Sequence, residues 1–286
     1  MLTCENEREL ALRARNMRCH IIRMLEAAGS GHTGGSLSIV EIMTLLYFKH
    51  MNIRAQEPHW PDRDRFVLSK GHAAPGLYAA LCEAGFFPEE ELKTLRKLGS
   101  RLQGHPDSKK VPGVDMSTGS LGQGLSAANG MALGLRLDGR ASRVYTILGD
   151  GESEEGQIWE AAMTAVHYKL DNLTAFLDNN GLQIDGDVSK VKSMTDPGAR
   201  FKSFGWNVLH SDGHDLAQLD AAIELAKNTK GVPTIIIAKT VKGKGVSFAE
   251  NQADWHGVAP KADEAVQAIE EIMAGGANNG GENRYP

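Results

Sequence analysis

The chain has 286 residues, of which 41% are hydrophobic and 23% charged, and its formal net charge is -5. These proportions are typical of a globular protein with a sizeable core, and the negative charge argues against a surface that attracts nucleic acid or anionic lipid. Cys4, Cys19 and Cys82 lack metal-binding or redox spacing, and the N-terminus lacks an apolar leader segment, so we expect reduced thiols and a cytoplasmic location.

Two helices separated by a glycine-rich loop are the first elements that the sequence predicts. Apolar residues at helical spacing predict an amphipathic helix from about Glu5 to Ala28. A second helix is predicted from about Ser38 to His50, with Ser36 or Ser38 as its N-cap. The loop between them places His32 among glycines, where a ligand could reach the imidazole. A plain capping loop is the alternative interpretation.

The next segment predicts a short strand that runs directly into a helix. The strand is expected from Arg65 to Ser69 and the helix from about Ala74 to Ala84. His72 lies in the turn between them, where single histidines more often serve as structural hydrogen-bonding groups. Residues 85 to 118 are predicted to be rich in loops, apart from a charged helix from Pro88 to Leu98, and they contain His105.

A glycine-rich sequence, T-G-S-L-G-Q-G at residues 118 to 124, opens a further predicted helix. The apolar positions of that helix begin at Leu121 and continue to Leu135. Glycines at a helix start let another backbone or a flat ring approach closely, although close packing of the helix on a sheet uses glycine in the same way.

A predicted βαβ unit between residues 144 and 185 is the strongest pattern in the chain. Its first strand stops at G-D-G, residues 149 to 151, and its helix runs from about Gly156 to Tyr168. The second strand stops at D-N-N, residues 178 to 180. Because a right-handed crossover brings both strand ends to one edge of a parallel sheet, we expect Asp150 and Asn180 to be neighbours.

These two side chains supply the hard oxygen ligands that Mg²⁺ prefers, and the adjacent glycines would let a phosphate approach the backbone. Asp, Asn and Gly also dominate ordinary turns, which is the alternative interpretation of each piece alone. Both pieces together, at the ends of two apolar strands, favour a site for a metal ion and a diphosphate.

The remaining elements continue the alternation of strands and helices. We expect strands at Asn207 to Leu209 and Thr234 to Thr240, and helices at Asp215 to Lys227 and Ala262 to Met273. His214 is assigned to the cap of the first of these helices. The fold class is therefore α/β, a doubly wound parallel sheet with helices on both faces. One domain would span residues 1–273, and residues 274–286 would form a disordered tail.

Seven motifs now give a specific resemblance. G-S-G-H-T-G-G, S-K-G-H-A, G-H-P-D, T-G-S-L-G-Q-G, G-D-G, D-N-N and W-H-G occur in the order found in the N-terminal, diphosphate-binding half of transketolase. The sequence resembles that half over nearly its whole length. One departure is Thr33, where many members carry Pro; related synthases of the deoxyxylulose-phosphate type also use Thr there.

The resemblance implies the fold of thiamine diphosphate (ThDP) enzymes and roles for single residues. Asp150, Asn180 and the carbonyl oxygen of Leu182 would bind Mg²⁺ or Ca²⁺. His32, His105 and His256 would act as catalytic proton carriers in the substrate channel, a task that suits the pKa of imidazole. Glu160 would lie with Glu155 toward a subunit interface. The contacts to ThDP would come from His72, Gly119, Leu121, Gly151, Glu155, Asn180, Ile184 and His256.

The resemblance also implies an activity and a partner. Transketolase transfers a two-carbon ketol unit from a ketose phosphate to an aldose phosphate in the pentose phosphate pathway. The chain stops where the pyrimidine-binding domain should begin, so we expect a separate C-terminal subunit, an α₂β₂ assembly and no activity without the partner. Two alternatives stay open: the α subunit of a 2-oxo acid dehydrogenase E1 component, against which the histidine set argues, and a non-catalytic subunit with the ThDP fold.

Overall fold

A five-stranded parallel sheet forms the centre of the chain. The computed structural model describes residues 2 to 275, and the sheet has the strand order β1-β2-β3-β7-β6. A separate antiparallel pair, β4 with β5, follows β3. The strands are β1 Arg65–Leu68, β2 Val144–Gly149, β3 Leu173–Asn179, β4 Leu182–Gln183, β5 Gly186–Asp187, β6 Asn207–Asp212 and β7 Thr234–Lys239.

Helices cover both faces of this sheet. They are α1 Cys4–Ala28, α2 Thr33–Leu37, α3 Val40–Leu45, α4 Ala74–Glu83, α5 Gly124–Leu137, α6 Gly156–His167, α7 Val188–Val191, α8 Pro197–Ser203, α9 Leu216–Asn228 and α10 Ala262–Gly275. A π-helical turn, Leu46–His50, continues α3. None of the helices within residues 2 to 275 is both long and apolar enough to cross a membrane.

The sheet separates two hydrophobic cores. Tyr145 and Phe176 point to the core shared with α1, α3, α4 and α9. Leu148 and Leu177 point to the opposite core, which contains α5 and α6. Every residue of β2 is buried, as expected for a parallel strand covered on both faces. The predicted fold class, a doubly wound α/β sheet with helices on both faces, is confirmed.

The second helix differs from its prediction. It begins at Thr33 rather than near Ser38, and it is interrupted between α2 and α3. The hydroxyls of Ser36 and Ser38 donate to the carbonyl oxygens of His32 and Gly35, three or four residues earlier, so neither caps the helix. His32 itself occupies the N-cap position, and this places its ring at the start of α2.

Further boundaries differ, and the strand expected at Asn207 to Leu209 continues to Asp212. The charged segment expected as a helix from Pro88 to Leu98 forms only a 3₁₀ turn, Glu89–Thr94, and Arg96 then takes a positive φ of 60° that no helix accepts. The last helix continues past Met273 to Gly275. The tail prediction therefore begins two residues too early, and its remainder, residues 276–286, lies outside the described residues.

Candidate functional site

The ends of β2 and β3 meet at one edge of the sheet, where they bring Asp150 and Asn180 to one cavity. Gly149 pairs with Asp178 at the last position of the two strands. Asp150 and Asn180, which follow the paired ends, line a cavity of about 270 Å³. The Asp150 carboxylate accepts hydrogen bonds from the backbone N–H groups of Gly151 (2.8 Å) and Gly181 (2.6 Å).

Most of the predicted cofactor contacts line the same cavity, together with the predicted metal ligand Leu182. These contacts are His72, Leu121, Gly151, Glu155, Asn180, Ile184 and His256. Gly119 does not line it. Instead Gly119 lies against the His105 ring, so closely that a Cβ atom there would be 3.2 Å from the imidazole. Glu160 is exposed on α6.

Four histidine rings cluster beside the cavity. The ring centroid of His32 lies 5.1 Å from that of His72, 5.5 Å from that of His256 and 6.4 Å from that of His105. The centroids of His72 and His256 are 5.0 Å apart. The predicted catalytic histidines, drawn from three distant parts of the sequence, therefore converge.

Burial keeps these imidazoles neutral at pH 7. It is the largest cause that lowers the pKa of His32 to about 4 and that of His256 to about 3, and nearby cations, Arg96 for His32 and Lys242 for His256, add to it. The pKa values of His72 and His105 are lowered for the same first reason. Within residues 2 to 275 the buried Nδ1 of His32 has no hydrogen-bond partner. A neutral ring has one donor and one acceptor nitrogen, so the cluster can exchange protons with a bound hydroxyl group.

The oxygen atoms at the edge of the sheet suit a hard cation. Burial, and then the neighbouring Asp178 carboxylate, raises the pKa of Asp150 to about 6, so a bound cation would favour its ionised form. Among the described residues, no group of three or more His, Cys, Asp or Glu side chains is placed to hold a metal ion. A metal here would need neutral oxygens beside Asp150, and the Asn180 carboxamide and the Leu182 carbonyl supply them. The donor set therefore fits Mg²⁺.

Sequence reasoning missed a buried carboxylate that joins three loops of the site. Glu152 accepts hydrogen bonds from the Ser69 hydroxyl and from the N–H groups of Gly122 (2.9 Å) and Gly149 (3.0 Å). It thereby ties the S-K-G-H-A, T-G-S-L-G-Q-G and G-D-G motifs together. A glutamate just after a strand resembles a solvated residue in sequence, so the loop that contains it was the only local signal.

Two buried lysines beside the cavity were also missed. Lys70 donates to the buried Asp178 carboxylate and to the Gly35 carbonyl oxygen. The Nζ of Lys242 lies 2.8 Å from Nδ1 of His256, and burial, followed by the charge of Lys70, lowers the pKa of Lys242 to about 8. Two ammonium groups beside a small cavity would stabilise a bound polyanion. Lys242 sits in a Gly-rich loop after a strand, which was the only available signal.

The chain as a whole matches a family model for the thiamine diphosphate binding domain of transketolase, over residues 11–276. The fold and the site thus define a thiamine diphosphate-binding domain. The chain belongs to the transketolase family, and the resemblance drawn from its motifs is confirmed.

The chain is similar to relatives of two different lengths. The chain is 45% identical to the 6-deoxy-6-sulfo-D-fructose transketolase subunit SqwG of Clostridium sp. (strain MSTE9), over 96% of this chain and 99% of that one. It is 40% identical to one of the subunits of the apulose-4-phosphate transketolase of Phocaeicola vulgatus, over 92% and 93%. It is 47% identical to human transketolase, of which it covers 41%. The chain therefore matches these two separate subunits almost end to end and the longer enzyme over less than half its length.

Solved structures agree with this assignment. A transketolase from Pichia stipitis superimposes with a TM-score of 0.88 at 34% identity, over 97% of this chain and 42% of that one. The Campylobacter jejuni transketolase gives a TM-score of 0.86 at 33% identity, over 95% and 43%. The chain therefore spans about two-fifths of these longer enzymes.

Proposed function

We propose that this chain is the N-terminal subunit of a two-chain transketolase that transfers a two-carbon ketol unit from a ketose to an aldose, with ThDP and Mg²⁺ as cofactors. The observation that carries the proposal is one cavity lined by the Asp150–Asn180 pair, two buried lysines and two neutral imidazoles, with the rings of His32 and His105 clustered beside it. Subunits that match the chain over nearly their whole length support the two-chain arrangement.

The residues around the cavity divide into two sets for cofactor binding. Asp150, Asn180 and the Leu182 carbonyl would hold Mg²⁺, and Gly151, which lines the same cavity, would contact the diphosphate. Once bound, ThDP supplies the nucleophilic carbon and the electron sink for carbon–carbon bond cleavage. The polyanion would be held by the remaining donors on this chain, His72 and Lys242.

The histidines then supply the proton transfers. A carbon–carbon bond cleaves between two hydroxylated carbons, so one hydroxyl must lose a proton and a departing aldehyde must be accommodated. His32, His105 and His256 would accept and return that proton and hydrogen-bond the sugar hydroxyls. Their lowered pKa values favour neutral rings that donate hydrogen bonds at pH 7, and proton acceptance would be brief.

A second chain would complete the site. Leu121 and Ile184 line the cavity, yet 36% and 64% of their surfaces are exposed. Exposed apolar side chains beside a polar site mark an interaction surface. A C-terminal subunit with a pyrimidine-binding domain would cover them, and an α₂β₂ assembly with Glu155 and Glu160 near the subunit contact would follow from two-fold symmetry.

The substrate should be a ketose with a terminal anionic group. The names of the two subunit relatives refer to a sulfonated sugar and to a sugar phosphate, and both groups are anionic. Ketose phosphates of the pentose phosphate pathway belong to the same chemical class. We therefore propose transfer of a ketol unit from an anionic ketose and do not assign the reaction to one pathway.

A substrate panel tests the proposal. The two-chain complex, purified from its source with ThDP and Mg²⁺, is assayed with ketose phosphates and with 6-deoxy-6-sulfo-D-fructose, each with an aldose acceptor, and with pyruvate. Ketol transfer from at least one ketose is expected. Decarboxylation of pyruvate without ketol transfer would instead favour a 2-oxo acid dehydrogenase component. Tight ThDP binding without any turnover would favour a non-catalytic role.

A further inference from the structure

A cluster of Arg18, Glu41 and the half-buried His214 lies behind the loop that follows β7. Arg18 in α1 donates to Oε1 of Glu41 in α3 over 2.6 Å, and Nδ1 of His214 lies 2.9 Å from Oε2 of the same carboxylate. Arg18 and Glu41 are both buried. Burial alone would raise the pKa of Glu41, but Arg18 and His214 lower it to about 2, so the carboxylate is ionised. His214 was assigned from the sequence to a helix cap; Asp215 caps α9 instead.

Both partners of Glu41 hold the backbone of one loop. Nε2 of His214 accepts a hydrogen bond from the Val241 N–H over 2.8 Å, and Nε of Arg18 donates to the Lys244 carbonyl over 3.2 Å. Because Nε2 is an acceptor, the proton of the neutral ring must be on Nδ1, which donates to Glu41. The Glu41 carboxylate therefore orients Arg18 and His214, and these two side chains hydrogen-bond to the loop backbone on either side of Lys242.

Lys242 in turn fixes the tautomer of His256. An ammonium group has three donors and no acceptor, so Nδ1 of His256, 2.8 Å from Nζ of Lys242, must accept. The ring proton of His256 is then on Nε2. A histidine with this tautomer can donate from Nε2 to a substrate hydroxyl, whereas the other tautomer cannot.

We propose that Glu41 is a positioning residue for the proposed reaction: through Arg18 and His214 it holds the Val241–Lys244 loop so that Lys242 keeps His256 in its Nε2–H tautomer. This inference relies on the proposed function for the use made of His256. It does not rely on it for the hydrogen-bond chain, which lies within the described residues and can be measured directly.

Nitrogen NMR of the full chain, labelled with ¹⁵N-histidine, measures the tautomer without any need for turnover. The signals of His256 are identified by their loss in His256→Gln. The variants are Glu41→Gln and Lys242→Met. Glu83→Gln is the matched control, because Glu83 also accepts from one arginine and one histidine, Arg13 and His20, but on α4, away from the loop.

In the unaltered chain we expect Nδ1 of His256 to be unprotonated. Lys242→Met and Glu41→Gln should both give a mixture of tautomers, and Glu83→Gln should leave the His256 signals unchanged even if it lowers stability. A wild-type His256 spectrum in Glu41→Gln, with an altered one in Lys242→Met, would overturn the role of Glu41. Wild-type spectra in both variants would overturn the whole chain of contacts.

A second variant covers the case in which Glu41→Gln fails to fold. His214→Leu removes the acceptor for the Val241 N–H and the donor to Glu41, but it leaves Arg18 on that carboxylate. We expect the same mixture of tautomers; an unchanged spectrum contradicts the proposal. In the assembled enzyme, Glu41→Gln should lower kcat more than it raises KM, since the defect is in proton transfer. A shifted tautomer in a complex that shows no ketol transfer would reject the proposed function and leave the positioning role intact.

Discussion

Asp150 is the only carboxylate among the three proposed metal ligands. We expect Asp150→Ala to weaken Mg²⁺-dependent ThDP binding by more than about 100-fold. Loss of a residue that only hydrogen-bonds to a metal ligand already lowers metal affinity roughly 10–100-fold, and Asp150 is itself a proposed ligand. Titration calorimetry of the assembled enzyme measures this. Asp185→Ala is the control, since Asp185 is an exposed carboxylate three residues after Leu182. Affinity like that of the unaltered enzyme would remove Asp150 from the metal site.

The lowered pKa of His32 predicts a specific loss of stability in acid. An unfolded histidine has a pKa of 6.5, whereas that of folded His32 is about 4. Below pH 6.5 the unfolded chain binds a proton that the folded chain does not, so this stabilisation is complete above pH 6.5 and is lost as the pH falls toward 4. His32 contributes at most about 3 kcal/mol to the free energy of unfolding, and the partial exposure of its ring reduces this contribution.

Urea unfolding of the cofactor-free chain between pH 7 and pH 4 measures that loss. His32→Asn should show a shallower decline in the free energy of unfolding than the unaltered chain. Exposed His167→Asn serves as the control and should not change the slope. Parallel curves for His32→Asn and the unaltered chain would show that His32 is not held neutral by burial.

At the residue scale, the sequence could identify groups that have a strand end or a glycine loop beside them. Asp150, Asn180 and the four histidines all had such a local signal, and the topology rule for parallel strands then predicted that the first two meet. Glu41, inside a helix, had no such signal, whereas Glu152 and Lys242 had only the loops that contain them. Their roles depend on contacts between segments far apart in the chain, such as Glu41 with His214, and these exist only after folding.

The glycine-rich start of α5 gives a prediction at the scale of an element. A Cβ atom at Gly124 would lie 2.4 to 2.6 Å from Ser69, the residue that enters the S-K-G-H-A loop, so the helix start and that loop must move apart. We expect Gly124→Ala to cost about 1–3 kcal/mol. Thermal or urea unfolding measures the change.

Gly130 on the same helix is the matched control. It is exposed, and nothing lies within 4 Å of a Cβ atom there. Gly130→Ala should therefore stabilise the chain by about 0.5–1 kcal/mol through helix propensity alone. If Gly124→Ala stabilised the chain by a similar amount, close approach to Ser69 would not explain the glycine.

Element boundaries followed from the sequence where apolar periodicity decided them, as in α1, α6 and β7, whereas α5 begins at Gly124 and leaves Leu121, the expected first apolar position, outside the helix. They failed where polar side chains decided them. Ser36 and Ser38 resemble N-cap residues in sequence, but their hydroxyls bond to earlier carbonyl groups inside the helical turns. Pattern alone does not distinguish a serine that caps a helix from one that bonds back along it.

At the scale of the whole molecule, the exposed apolar side chains at the cavity predict where the partner binds. Ile184→Lys should weaken association with the C-terminal subunit by roughly 10-fold or more, because a charge would be buried in the contact. Sedimentation of mixed subunits measures this. Leu137→Lys is the control, since this exposed leucine ends α5 next to the start of β2, at the opposite edge of the sheet. Equal weakening by both variants would argue against a partner surface at the cavity.

The overall architecture was predictable because five predicted strands alternated with helices. The βαβ unit at residues 144 to 185 also predicted the edge of the sheet at which Asp150 and Asn180 lie. The expectation of a second chain came only from the family resemblance, because the residues of a single domain do not show what covers its exposed face. Relatives of nearly the same extent are named as separate subunits, which is consistent with a partner for this chain.

The central claim is that this chain forms one wall of a ThDP site that a second chain completes. The most direct measurement is purification of the chain from its source under mild washing, followed by native mass and a ketol-transfer assay with and without the chain that co-purifies. We predict a co-purifying chain of comparable size, an α₂β₂ mass, and activity only when both chains are present. A lone chain that transfers ketol units unaided would contradict the account.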